Sequence, residues 1–148
     1  MAAYSSLQDL LKYMPRKVIE QLTDDDNIGD INEEIVDDII SQSDNLIDSF
    51  CRGRYPVEMD DADVPDMIND LSVKLTAYKL YARRLITTLP ETIAKDYQYC
   101  MTQLKAIQSG KLSPWPVASN PVVFVTNKTS TDKIYSPTVW GTYYDGLN

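Results

Sequence analysis

Apolar residues fall in steps of three and four through three long stretches of the chain, the spacing that gathers them on one face of an α-helix. The first stretch carries Ile35, Val36, Ile39, Ile40, Leu46, Ile47, Phe50 and Cys51, with Ser43 in mid-stripe, where a small residue lets another helix approach closely. The second carries Ile68, Leu71, Leu75, Tyr78, Ala82 and Leu85, and the third Ile93, Tyr97, Cys100, Leu104 and Ile107. Such seams predict helices packed near-antiparallel around a shared core.

Local signals set the ends. Asn32 or Asp30 caps the first long helix, Glu33 and Glu34 suit its first turn, and Gly53 and Pro56 stop it after about Arg52. Pro65 fits the first position of a helix reaching about Thr87, and Pro90 opens a third helix that Gly110 ends. Two short helices precede these: Ser5 or Ser6 caps one with Leu7, Leu10 and Leu11, and Pro15 opens another with Val18, Ile19 and Leu22. An acidic loop, Thr23 to Asn32, follows them. The expected fold is therefore all-α, a small bundle of three long helices plus short N-terminal helices. Burying each large stripe residue contributes roughly 1.5 to 3 kcal/mol, so about a dozen hold such a bundle without disulfide or metal.

The pattern breaks at Ser113. Pro114, Pro116, Pro121 and Pro137 interrupt short β-prone runs such as Val122 to Val125, and the charge falls to zero. The expected division is a helical domain over 1–112 and an extended C-terminal tail or arm over 113–148, with short strands in it. Trp115, Trp140, Tyr143 and Tyr144 make this tail too aromatic for an inert linker, and mark it as a segment that docks.

Composition narrows the chemistry. There is no histidine, which removes the usual general base and the commonest metal ligand, and the formal charge is −8. Cys51 and Cys100 sit on helical stripes without zinc or redox spacing and read as core residues. No signal peptide or membrane span is expected. The acidity is uneven: Glu20 to Asp66 holds sixteen Asp or Glu against Arg52 and Arg54, while Lys74 to Lys111 holds seven Lys or Arg against Glu91 and Asp96. Unlike faces of this kind suit a subunit set beside copies of itself.

Three constellations invite a chemical reading. Asp24, Asp26, Asp30 and Asn32 imitate a calcium loop, but counting from Asp24 puts Ile28 at position five and Ile35 at position twelve, where oxygen ligands belong. Paired carboxylates such as Asp37-Asp38 lack an accompanying nucleophile, phosphate loop or metal spacing, so neither an enzyme nor a cofactor is expected. Lys79, Arg83 and Arg84 lie near Tyr78 and Tyr81 and form a candidate basic strip, lining a ring lumen or meeting a neighbouring subunit. The stretch Ser43 to Val57 joins all of this: Asp44 and Asp48 share a helix face opposite the apolar stripe, then Arg52, Arg54 and Tyr55 close the helix. Arg54 is expected to pair with an acidic residue and hold that turn.

Three blocks of the sequence resemble the Mu-like prophage group of head-tail connector (head-completion, or adaptor) proteins of tailed phages. They are Leu7 to Leu11 with Ile19 to Asp24; Ser43, Ile47-Asp48 and Arg54-Tyr55-Pro56; and Val64-Pro65 with Ile68, Leu71, Leu75 to Tyr78, Tyr97, Leu104-Lys105, Ile107 and Ser109-Gly110-Lys111. They span about residues 4 to 112, and the long tail from Ser113 departs from the compact pattern. The resemblance implies a non-catalytic virion subunit. Copies would form a ring of about twelve beneath the portal protein, meet tail-side connector or terminator proteins, and pass DNA through the lumen without contacting a membrane. It carries Asp48, Arg54 and Tyr55 over as fold or subunit-contact positions, with Arg52 beside them. The alternative reading is an intracellular helical protein-binding module, regulatory or chaperone-like, whose aromatic tail recognises one partner.

Overall fold

In a computed structural model of the chain the described residues are 3–55, 57, 64–84 and 88–115, all within one compact unit, Met1–Val117. Five helices follow in order: α1 (Leu7–Tyr13), α2 (Arg16–Thr23), α3 (Glu33–Cys51), α4 (Asp66–Arg83) and α5 (Glu91–Gln108). The fold of the described residues is all-α, three long helices with two short ones before them. Trp140, Tyr143, Tyr144 and the strands expected in the tail lie outside the described residues.

Two helices start on side-chain caps. Ser6 and Asp9 form a reciprocal capping box on α1, and the Asn32 side chain accepts the Ile35 N–H at 3.2 Å to start α3. The other three follow prolines. Pro15, Pro65 and Pro90 stand one position earlier than expected, as N-cap residues with φ near −60° and ψ near 140°. Their fixed φ suits that extended entry, and their carbonyls still accept the first helical N–H groups, such as Val18 at 2.9 Å and Ile68 at 2.8 Å.

The core is divided. One cluster joins Leu10, Ile19, Leu22, Val36, Ile39 and Ile40 to Val73, Ala77, Leu80 and Ile93. The other joins Tyr4, Ile47 and Cys51 to Ile68, Leu71, Leu75, Cys100, Leu104 and Ile107. This pairing makes α3 and α5 each antiparallel to α4. It also makes α4 the central helix, packed against all four others and buried well beyond the stripe read from its sequence. Between the clusters runs a polar layer. Ser43 and Thr76 are fully buried, the Thr76 hydroxyl donates to Ser43 Oγ at 3.2 Å, and Ser43 donates to the Ile39 carbonyl at 2.9 Å. The small residue in mid-stripe thus marks where α3 and α4 come close.

The α4 helix stops four residues short of the expected Thr87. Arg84 leaves the helix at φ −94°, ψ 97°, and its guanidinium donates to the Asp24 carbonyl at 2.7 Å and the Leu22 carbonyl at 3.4 Å. These bonds tie the C-cap of α4 to the end of α2.

Candidate functional site at the helix ends

The turn after α3 reaches across to the end of α5. Arg54 Nε donates to the Gln108 carbonyl at 2.8 Å and Nη2 to the Ser109 carbonyl at 3.2 Å, so the cation caps the C-terminus of another helix. The expected acidic partner is replaced by carbonyl oxygens, since the end of α5 offers unpaired acceptors with a partial negative charge. Tyr55 continues the contact: its hydroxyl donates to the Leu112 carbonyl at 3.4 Å, and its ring lies 4.7 Å from that of Trp115, tilted 34°. Trp115, read from sequence as a docking residue of the tail, therefore packs on Tyr55 of its own chain. Arg52 caps α3 and is exposed, with no ion pair among the described residues.

Asp44 and Asp48 correct the sequence reading most sharply. They were expected opposite the apolar stripe, yet they are 8% and 5% exposed, facing the N-terminal arm and α4. The Tyr4 N–H donates to Asp44 Oδ2 at 2.9 Å, the Ser72 hydroxyl to Asp44 Oδ1 at 2.6 Å, and the Tyr4 phenol to the Asp48 carboxylate. Asn69 Nδ2 donates to the Tyr4 carbonyl at 2.8 Å, and Ser5 and Ser72 share a hydrogen bond of 2.8 Å. Burial pushes the Asp44 carboxyl above its ordinary value, and the Ser72 and Tyr4 donors hold it back. The arm thus supplies the donors that allow two carboxylates inside the bundle. Sequence reasoning missed Tyr4 altogether. The available signal was the four-residue row Val36, Ile40, Asp44, Asp48, which prolongs the buried face.

The basic strip does not stand as one free row. Arg83 forms a two-pronged pair with Asp25 and donates to the Leu22 carbonyl at 3.1 Å, while Arg84 reaches Asp25 at 2.8 Å. These guanidinium groups, about one-third exposed, tie α4 to the end of α2. Lys79 is half-buried, and burial lowers its pKa while Asp44 opposes that shift. The acidic loop has structural work for its carboxylates: Asp24 accepts the Ile28 and Gly29 N–H groups at 2.9 and 2.8 Å, and Asp30 pairs with Arg16 at 2.7 Å. Among the described residues no group of three or more acidic or thiol side chains is arranged to hold a metal ion. Cys51 and Cys100 are fully buried, and burial pushes their thiols up to about 11 and about 12, leaving neither poised as a nucleophile. Among the described residues no helix is long and apolar enough to cross a membrane.

The site is a set of helix-end fastenings. Comparison with known proteins agrees with the resemblance drawn from the sequence blocks. A search among curated proteins finds no match. A family model, described as Bacteriophage Mu, Gp36, matches residues 4–130. The match takes in the arm, all five helices, the Arg54 and Tyr55 contacts and the first part of the tail, a stretch beyond Ser113 that the sequence blocks had left outside the family pattern. By that match over most of its length, the chain belongs to the Bacteriophage Mu Gp36 family of phage structural proteins.

Proposed function

We propose that this phage structural protein is a head-tail connector subunit, assembling as a ring of about twelve copies beneath the portal and joining the head to the tail. The observation that carries the reading is the family match over residues 4–130. Its activity is mechanical, and its place is the head-tail interface of the virion, with DNA passing through the lumen.

Surface chemistry supports a repeated contact between copies. The exposed side of α3 presents Glu33, Glu34, Asp37 and Asp38, whereas α5 presents Lys95 and Lys105. A heterologous contact between unlike faces closes into a ring when its rotation divides the circle. With Arg83 and Arg84 engaged by Asp25, and Lys95 by Glu91, the exposed Lys105 and Lys111 near the end of α5 are the cations better placed for such a contact. Beyond Trp115 the chain has length enough to reach a neighbour, the portal or a tail-side protein, and Trp140, Tyr143 and Tyr144 are its anchors.

The test is electron cryomicroscopy of particles assembled with and without the protein. The expected result is ring density between portal and tail in complete particles, and unjoined heads and tails in its absence. Normal joining without the protein, or its absence from purified particles, overturns the reading.

A further inference from the structure

The N-terminal arm and the root of the C-terminal segment are fastened to one stretch, Asp44 to Tyr55. The arm is held by Asp44 and Asp48 through the backbone and phenol of Tyr4. The root is held by Arg54 at Gln108 and Ser109, and by Tyr55 at Leu112 and Trp115. We propose that the end of α3 couples these two attachments, so that loosening the arm loosens the Trp115 root, and loosening the root frees the arm.

The connection between them is short and hydrogen-bonded throughout. The Asp48 carbonyl accepts the Arg52 N–H at 2.8 Å, and the Cys51 carbonyl accepts the N–H groups of Arg54 and Tyr55 at 2.9 and 3.0 Å. The turn carrying Arg54 and Tyr55 is therefore built directly on the turn carrying Asp48. Packing follows the same route. Tyr4, Ile47, Cys51 and Ile107 share one cluster, and Tyr55, Leu112 and Trp115 lie against it. A shift of the Asp48 turn moves the base on which the root rests.

The coupling has a boundary. The polar layer of Ser43, Asp44, Ser72 and Thr76 separates this half of the bundle from the cluster formed by α1, α2 and the first half of α3. Contiguous packed units open cooperatively, and a break in apolar packing is where such a unit ends. The arm at Tyr4 and the Trp115 root thus belong to one half. The coupling is a property of the subunit and does not depend on the connector reading.

The experiment uses the full chain with Trp140→Phe, which leaves Trp115 as the sole tryptophan. Adding Tyr4→Phe removes the phenol donor to Asp48. Acrylamide quenching of Trp115 is expected to rise about two-fold or more. In the reverse direction, Trp115→Ala is expected to speed amide exchange at Tyr4 about five-fold or more, because coupling between two sites is reciprocal. Ile39→Val, placed in the other cluster, is the control and leaves Trp115 quenching unchanged. If Tyr4→Phe leaves Trp115 quenching as it was, or Ile39→Val raises it equally, the proposal is overturned.

Discussion

The guanidinium of Arg54 fills the space where a side chain on residue 110 would begin: a Cβ on Gly110 would lie 2.5 Å from Arg54 Nη1 and 2.6 Å from Cζ. Gly110 also adopts φ +74°, the left-handed conformation that ends a helix and that side chains disfavour. The two needs coincide at one residue. The chain turns out of α5 there, and it leaves room for a cation from the end of α3 to reach the last carbonyls.

This relationship makes the two substitutions non-additive. Arg54→Ala removes two charge-assisted bonds at an exposed site and should cost about 1 kcal/mol. Gly110→Ala should cost about 2 kcal/mol or more, combining left-handed strain with the displaced guanidinium. In the double variant the collision is gone and only the strain remains, so the loss should fall short of the sum. Denaturant midpoints of the four proteins measure this, and strict additivity would show that the guanidinium does not occupy the glycine's space.

Helices were legible in this sequence because their periodicity and stop signals are local, whereas side-chain partners were legible only where chemistry left little choice. Ser43 could be read as a point of close approach from its place in an apolar stripe. Arg54 could be read as a cation at a helix end, but not which helix end, because Gln108 and Ser109 come to it only through the packing of α3 and α5. The spacing puts Asp44 and Asp48 on a helix face opposite the apolar stripe, where carboxylates usually meet solvent. The Tyr4 N–H, the Tyr4 phenol and the Ser72 hydroxyl reverse that, and three donors from an arm and a central helix leave no periodic mark. The length of α4 was misjudged for a related reason: Arg84 finds carbonyl partners at the end of α2, which helix propensity does not register.

Tyr4→Phe tests how the N-terminal arm is held. The ring can stay packed in its cluster while the phenol donor to Asp48 is lost, which leaves a buried carboxylate short of a partner. The expected loss is about 1 to 3 kcal/mol, with an unchanged denaturant slope. Thermal or urea unfolding checks it. A loss within about 0.5 kcal/mol, the range of ordinary surface changes, would mean that the arm is not held through the phenol.

Arg84→Ala should cost more than Asp25→Ala. The arginine serves Asp25 and also the carbonyls of Leu22 and Asp24, so its removal uncaps α2 as well as breaking an ion pair, whereas Asp25→Ala breaks only the partly exposed ion pairs to Arg83 and Arg84. The difference should be about 1 kcal/mol, and raising the salt concentration should shrink the Asp25→Ala effect more than the Arg84→Ala effect. Equal costs would mean that the carbonyl bonds contribute no more than the Arg83–Asp25 pair.

Asp44 sets a pH dependence whose sign is unusual for a carboxylate. Burial holds its pKa above the ordinary 3.8, so between that value and the raised one the folded state binds more protons than the unfolded state. Stability from this group is therefore fully present below pH 3.8 and is lost as pH rises through the folded value. Asp9 works the other way. Lys12 and Ser6 lower its pKa to about 2, so its contribution is present above 3.8 and disappears as pH falls toward 2. Comparison of the native chain with Asp44→Asn isolates the first effect. The amide can accept the Tyr4 N–H through its oxygen and donate to Ser72 Oγ through its nitrogen, since the serine hydroxyl can turn to accept. The variant should be at least as stable as the native chain at neutral pH, and that advantage should shrink as the pH is lowered toward 3.8. Chemical denaturation across the acid range reads it directly, and an advantage that grows with acidification would mean that Asp44 is held as a favoured anion.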